Sequence, residues 1–149
     1  NKAFSGRIDP GFSSNLMSIM INPFVKFHGL EVFGTYEMSS GSAGLSNVLD
    51  SVDRSFSQIS GSVVYRFLAE EQCYVGVRYN TVTGRLYGYT DDDGDVNVNR
   101  LQVAAGWFPT ENLLLKLEYV DQKYDNFKTT DVRNGLEFKG VMVEASVGF

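Results

Sequence analysis

The stretch that decides the fold is Gly135-Leu-Glu-Phe-Lys-Gly-Val-Met-Val-Glu-Ala-Ser-Val-Gly-Phe149. Every second residue from Val141 to Phe149 is apolar, and the residues between them are mostly small or polar. An alternation with period two predicts a β-strand whose two faces meet different environments. In a soluble sheet, other elements of the chain would have to cover the apolar face of this strand.

The same alternation recurs along the chain, and no segment looks able to cover the apolar faces. The predicted strands are Asn15–Phe27, Leu30–Glu37, Phe56–Phe67, Cys73 towards Leu86, Arg100–Phe108, Leu113–Val120 and Leu136–Phe149. Pro23 cannot donate a ladder hydrogen bond, so we expect a bulge or a local gap there. Strands that are apolar on one side and polar on the other predict an all-β, antiparallel up-and-down transmembrane β-barrel, with lipid outside and a polar lumen inside.

The connections alternate between short and long, which is typical of outer-membrane barrels. Short turns are predicted at His28-Gly29, Leu68–Gln72 and Pro109–Asn112. Long outer loops are predicted at about 38–54, 89–97 and 125–134. With these loops the whole chain, 1–149, is one barrel domain or the C-terminal segment of one.

Aromatic residues recur at two levels of the predicted strands. Those expected at the two membrane–water interfaces are Phe27, Tyr36, Phe67, Tyr79, Trp107, Tyr119 and Phe149. Two aromatic girdles that flank aliphatic residues are typical of a membrane barrel. The alternative is a soluble β-sandwich with these aromatics in its core, but its strands should be nearer about 5–6 residues long.

Composition excludes several function classes. The chain has 149 residues and a net charge of −5, which argues against a nucleic-acid partner. It contains no run of about 18 apolar residues, so no transmembrane helix is expected. The single Cys allows no internal disulfide.

About seven strands are predicted, which is an odd number. Closed single-chain bacterial barrels usually have an even number of strands with both ends periplasmic. We therefore expect part of a larger barrel, in which the Asn15–Phe27 and Leu136–Phe149 strands do not pair with each other. Each would pair with upstream strands of the same protein or with another chain. Alternatively, Lys2–Ile8 supplies an eighth strand and closes a small barrel.

Several runs resemble a known family. They are Ile21-Asn-Pro-Phe-Val-Lys-Phe-His-Gly-Leu-Glu31, Tyr79-Asn-Thr-Val-Thr-Gly84, Gly106-Trp-Phe108, Glu118-Tyr-Val-Asp-Gln-Lys-Tyr124 and the closing strand. Across nearly the whole chain they look like the C-terminal half of porin-like proteins related to phosphate-selective porins. A strand that ends at a terminal Phe also resembles the C-terminal signature of outer-membrane barrels. The resemblance implies a trimeric or monomeric diffusion channel in which lumenal Lys and Arg select anions.

The predicted lumen carries charges of both signs. The lumen-lining residues are Lys26, Glu31, Arg66, Arg78, Arg100, Lys116, Glu118 and Glu144. Rings of charge can tune which ions pass. The alternative is a ladder of cross-strand salt bridges that stiffens or fills a narrow barrel.

The sequence gives little support for metal binding or catalysis. Asp91, Asp92, Asp93 and Asp95 could bind calcium, but they lack the distal Glu of an EF-hand, so a solvated loop is favoured. His28 lies in a predicted turn, away from the Ser-rich loops, so a Ser–His dyad is not expected. We predict no catalytic residue, no metal site and no cofactor.

Two functional hypotheses remain from the sequence. One is a porin-type channel of the bacterial outer membrane, for passive diffusion of small solutes or ions. The other is a non-transporting barrel that acts as a membrane anchor, an adhesion protein or a subunit of an envelope complex. Both predict contact with the lipid bilayer and lipopolysaccharide, and both allow a homo-oligomer.

Overall fold

The computed structural model describes residues 8–43 and 52–148. Its strands are β1 (Ser14–Ile21), β2 (Phe24–Phe27), β3 (Leu30–Ala43), β4 (Val52–Phe67), β5 (Cys73–Gly84), β6 (Val96–Thr110), β7 (Leu113–Asp125) and β8 (Glu137–Val147). Two short 3-10 turns, Ala69–Glu71 and Asp91–Asp93, are the only helical segments in the described part of the chain. No helix there is long and apolar enough to cross a bilayer.

The strands form one antiparallel sheet, in which β3 to β8 pair in chain order and β1 and β2 both pair with β3. The predicted all-β, up-and-down order is therefore confirmed. Because β1 and β2 are two halves of one strand, the described sheet is seven strands wide. The sheet is open: β1 and β2 form one edge and β8 forms the other. Closure into a barrel and the membrane location stay predictions.

The break between β1 and β2 falls at Asn22 and Pro23, where the sequence predicts a gap. Pro23 still accepts a backbone hydrogen bond, from the Gly34 N–H at 2.9 Å. A second proline, Pro109, was predicted to begin a turn, which is wrong. It lies inside β6, where the register with β7 shifts between Trp107 and Thr110. A bulge tolerates proline because one residue there is left unpaired.

Short turns and long loops lie at opposite ends of the sheet. The short-turn end holds residues 28–29, 68–72 and 111–112, and the long-loop end holds 85–95 and 126–136. His28 and Gly29 both have positive φ, 43° and 76°, as a two-residue hairpin turn with the twist of its strands requires. A Cβ at position 29 would lie 2.6 Å from the Arg66 carbonyl oxygen, so only glycine fits.

The loop bounds differ from those predicted. Residues 38–43 and 52–54 belong to β3 and β4, so most of the predicted 38–54 loop is strand, and 44–51 lies outside the described residues. The second loop runs from 85 to 95, since β5 ends at Gly84, and the third runs from 126 to 136. Ser and Gly in β3 and β4 were interpreted as loop residues, but cross-strand pairing outweighs their low β propensity. The proposed strand Lys2–Ile8 lies outside the described residues, apart from Ile8, which is not in a strand.

The register places the residues on the two faces as the alternation predicts. The aliphatic face is defined by the cross-strand row of Val32, Val63, Val77, Val103, Tyr119 and Val141. The polar face carries the alternate residues, among them Ser62, Arg78 and Gln102. Most of the aliphatic face is exposed, and no described residue packs over it. The buried apolar residues instead lie on the polar side, at the long-loop end.

Candidate functional site: the polar face of the sheet

All eight residues that were predicted to line a lumen lie on the polar face. Lys26 is opposite Glu31, Asn80 is opposite Arg100, and Lys116 is opposite Glu144. Their side chains fall into two ion-pair clusters and two arginines outside them. What the structure determines is their arrangement on one face; that this face lines a lumen stays a prediction.

The first cluster, at the short-turn end, joins Lys26, Glu31, Arg66 and Glu71. Glu31 accepts from Arg66 Nε at 3.1 Å and lies 3.2 Å from Lys26 Nζ. Glu71 lies 3.6 Å from Lys26 Nζ and 3.9 Å from Arg66 Nε. Glu71 belongs to the short turn predicted at Leu68–Gln72, and this turn places its carboxylate beside the strands.

Backbone geometry explains how Glu71 reaches the cluster. Leu68, Glu70 and Glu71 all have positive φ, at 69°, 57° and 56°. Non-glycine residues rarely adopt this conformation, which costs of order 1 kcal/mol or more each. The ion pairs with Lys26 and Arg66 help to hold the turn in this shape.

The second cluster joins Lys116, Glu118, Glu144 and the amide of Gln102. Glu118 is 6% exposed, lies 2.7 Å from Lys116 Nζ and accepts from Gln102 Nε2 at 2.7 Å. Lys116 also lies 3.6 Å from Glu144, which is about half-exposed. A buried carboxylate is tolerated only when it is paired and hydrogen-bonded, and Glu118 meets both conditions.

Arg78 and Arg100 form no ion pair with any described residue. Arg100 donates to the Gln122 amide oxygen at 3.4 Å, and its Nε is buried with no hydrogen-bond partner. Arg78 borders a cleft of about 250 Å³ on the polar face, together with Ser62, Gln102, Lys116 and Glu118. The first cluster is thus neutral and the second carries a net charge of −1, while Arg78 and Arg100 add positive charge between the clusters and the long-loop end.

An apolar patch on the polar face was not predicted. The loop-covered patch consists of Phe56, Val96, Val98 and Tyr124 on the strands, with Leu86 and Phe127 from the loops above them. Gln122 is buried beside it and donates to the Tyr124 hydroxyl at 2.6 Å. One feature of the sequence could have predicted this patch. Even-numbered positions farther along β6 and β7 include polar residues, but Val96, Val98 and Tyr124 are apolar at such positions.

The predicted interface aromatics lie on the aliphatic face. Phe27, Tyr36, Phe67, Tyr79, Trp107 and Tyr119 are all exposed there, and Phe149 lies outside the described residues. Phe67 and Trp107 share one cross-strand row through Cys73, near the short-turn end. The tyrosines lie on successive rows nearer the long-loop end, because Tyr79 is opposite Leu101 and Tyr119 is opposite Val103.

In the acidic loop considered as a calcium site, the carboxylates of Asp93 and Asp95 are engaged by other residues of the protein. Asp93 accepts from the Thr90 N–H at 2.6 Å and lies 2.9 Å from Lys128 Nζ, and these contacts lower its pKa to about 2. Asp95 pairs with Arg85 at 3.3 Å. Across residues 8–43 and 52–148, no group of three or more His, Cys, Asp or Glu could hold a metal ion.

His28 and Cys73, the residues with the most reactive side chains, lie at separate places. The His28 ring packs edge-on against the Phe27 ring at the short-turn end, with a centroid distance of 4.1 Å. Cys73 is half-buried on the aliphatic face, opposite Phe67 and Trp107. Neither residue forms an ion pair with another residue of the ranges 8–43 and 52–148.

Comparisons with known proteins give no relative for this chain: no family model matches it, and neither a curated protein nor a solved structure does.

Proposed function

We propose that this sheet is part of the wall of a bacterial outer-membrane β-barrel of porin type, which lets small solutes or ions diffuse across the membrane. The aliphatic face would contact lipid and the polar face would line the lumen. The observation that carries the proposal is the continuous aliphatic face, which runs uncovered across every spanning strand at one level.

The exposed aliphatic surface is far larger than a soluble monomer usually shows. Val143, Val141 and Val103 are 78%, 68% and 47% exposed. Val141 and Val103 belong to the row that runs from β8 back to β3, and Val143 lies in the next row of the same face. Contiguous apolar patches above a few hundred Å² mark contact with a partner or a membrane. Here the patch covers one whole side of the sheet, which favours lipid.

The height of the aliphatic face supports the same conclusion. On β3 it extends from Leu30 to Met38, close to the roughly 9–11 residues that cross a bilayer as a tilted strand. Towards the long-loop end, polar residues replace aliphatic ones on the same side of four adjacent strands. The change begins at Asp121 and Lys139 on β7 and β8, and one row farther on, at Thr81 and Asn99, on β5 and β6. A bilayer boundary explains why the change occurs within two neighbouring rows.

The edges of the sheet agree with a larger barrel. The spanning strands alternate in direction, so β1–β2 and β8 run the same way. Direct pairing of the two edges would be parallel, unlike every other pair in the sheet. In lipid each unpaired backbone group costs several kcal/mol. An odd number of further spanning strands, from upstream in the same protein or from another chain, would close the barrel with antiparallel pairs throughout.

One observation favours the second candidate, a non-transporting barrel that serves as an anchor, an adhesion protein or an envelope-complex subunit. Six of the eight predicted lumen residues belong to the two ion-pair clusters, and the long-loop end is packed by the loop-covered patch. A small barrel filled in this way would have no continuous water path.

Membrane insertion can be tested first and transport second. The full-length protein should need detergent, show a β-type circular dichroism spectrum and give discrete conductance steps in a planar bilayer. A monomer that stays soluble without detergent would overturn the proposal. Insertion without conductance would favour the non-transporting barrel.

A matched pair of cysteine variants tests which face lines the pore. In a Cys73→Ser background, Gln102→Cys and Val103→Cys lie next to each other on opposite faces of β6. A charged, water-soluble thiol reagent should reduce the current of the Gln102→Cys variant and leave that of Val103→Cys unchanged. The reverse result would mean that the aliphatic face is the wet one.

A further inference from the structure

The two long loops at the long-loop end contact each other as well as the sheet. Residues 85–95 and 126–136 are called here the two-loop lid. They come from different hairpins, β5–β6 and β7–β8, so nothing in local sequence requires them to meet. The contacts between the two loops make the lid a single unit.

Lys128 holds the two loops together. Its Nζ donates to the Gly88 carbonyl oxygen at 2.8 Å and lies 2.9 Å from the Asp93 carboxylate. The same ammonium group lies 4.6 Å from the centroid of the Tyr89 ring. One side chain of the second loop therefore makes three contacts with the first.

Tyr89 makes the reciprocal connection. Its hydroxyl accepts from the Lys128 backbone N–H at 3.1 Å and donates to Asp131 Oδ2 at 3.3 Å. Asp131 is fixed in turn by Arg133, whose guanidinium donates to both carboxylate oxygens at 2.9 and 2.7 Å. Lys128 and Tyr89 thus form a polar latch between the loops.

Beneath the latch the lid covers the polar face of the sheet. Leu86 and Phe127, one from each loop, are 5% exposed and pack on Val96, Val98 and Tyr124. The lid excludes water from the part of the wall nearest the long-loop end.

We propose that the two-loop lid is a gate, closed in this structure, and that the Lys128–Tyr89 latch sets how often it opens. The lid joins the sheet through a few apolar side chains and through the Tyr87 ring, whose centroid lies 5.5 Å from Arg54 Cζ on β4. One latch joins its two loops, so it can open without disturbing the strand ladder. Loops with few buried contacts open at lower free energy than core strands. The effect of opening on solute flux rests on the proposed function, whereas the opening itself does not.

Thiol labelling measures lid opening directly. In a Cys73→Ser background, Val98→Cys places a thiol under the lid, where the native side chain is 3% exposed. Adding Lys128→Ala or Tyr89→Phe should speed its reaction with a water-soluble maleimide about tenfold, since charge-assisted and bridging hydrogen bonds are lost. Lys123→Ala is the matched control, because Lys123 pairs with Glu137 on the aliphatic side and away from the latch.

A second probe and a labelling control complete the experiment. If Val98→Cys does not fold, Val96→Cys replaces it, because Val96 is fully buried in the native protein. Glu111→Cys, in the exposed turn at the opposite end of the sheet, is the control and should react at the same rate in all backgrounds. Unchanged labelling in both latch variants would overturn the gate. Faster labelling with raised conductance supports the gate and the channel, and faster labelling with no conductance in any variant supports the lid while rejecting the porin function.

Discussion

The two faces of this sheet are built from the same strands, but their side chains differ in what they contact. On β7, Leu115, Leu117 and Tyr119 point to one side with no described residue packed over them. Lys116, Glu118 and Gln122 point to the other side, and each of their polar groups finds a partner. A soluble sheet covers its aliphatic side and leaves its polar side wet. This sheet does the reverse, which is why lipid accounts for it better than water.

The largest predicted effect comes from placing a charge on the aliphatic face. In lipid, Val143→Arg or Leu115→Arg should lower the free energy of unfolding by about 2–4 kcal/mol, as for cations near a bilayer midplane. In water, an exposed residue such as Val143 would tolerate arginine within about 0.5 kcal/mol. Reversible urea unfolding in lipid vesicles measures the difference.

The control for this prediction uses the polar face. Gln102→Arg and Ser146→Arg lie on the same strands or adjacent ones and should be tolerated better. Equal losses in both sets would mean that the two faces are not lipid and lumen, because a one-residue change in register exchanges them.

The next prediction concerns the ion pairs of the polar face. Glu118→Ala removes a buried carboxylate that accepts from two partners, and should cost about 2 kcal/mol, as hydrogen bonds to charged groups do. Glu144→Ala removes the half-exposed partner of the same Lys116 and should cost less than about 1 kcal/mol. Urea unfolding of the two variants side by side checks the order, and a larger loss for Glu144→Ala would contradict it.

Two tyrosines on one strand give a smaller, matched comparison. Tyr124→Phe removes the hydroxyl that accepts from the buried Gln122 amide, which should cost about 1–3 kcal/mol for an unsatisfied buried group. Tyr119→Phe, on the aliphatic face of β7, should change stability by less than about 0.5 kcal/mol. Thermal unfolding in detergent distinguishes the two, and similar shifts would mean that Tyr124 is not buried as described.

The smallest effect is a pH dependence confined to the lid. The Arg133 guanidinium, against the effect of burial, lowers the pKa of Asp131 to about 2 from its ordinary value of 3.8. A lowered pKa stabilises the folded lid above pH 4, and this stabilisation is lost as the pH falls from about 4 to about 2. Maleimide is unsuitable at such pH, so hydrogen exchange of the lid amides measures it. Asp131→Asn should reduce the dependence and leave the share of Asp93, whose pKa is also lowered to about 2. An unchanged profile in that variant would refute the assignment.

The sequence predicted the sheet well because period-two alternation fixes which side chains share a face. Val63, Val77 and Val103 were assigned to one side, and the register aligns them in one row. Pro23 likewise predicted the break between β1 and β2, since it lacks the N–H that the ladder needs. These features are local, so the sequence alone carries them.

Long-range contacts were the part that could not be predicted. Lys128 meets Gly88 and Asp93 across two hairpins, and no spacing in the sequence encodes that meeting. The return of Glu71 to Lys26 depends on positive φ at non-glycine residues, which propensities argue against. The strand parts of 38–54 were missed because small polar residues do not show the alternation on which the prediction depended.

The central claim, that the aliphatic face contacts lipid, is tested most directly by the single tryptophan, Trp107. It lies on that face and is 50% exposed, so the unmodified protein carries its own probe. In reconstituted vesicles, lipids brominated on their acyl chains should quench Trp107 fluorescence strongly, and aqueous iodide should quench it weakly. Strong quenching by iodide with none by the brominated lipids would contradict the account.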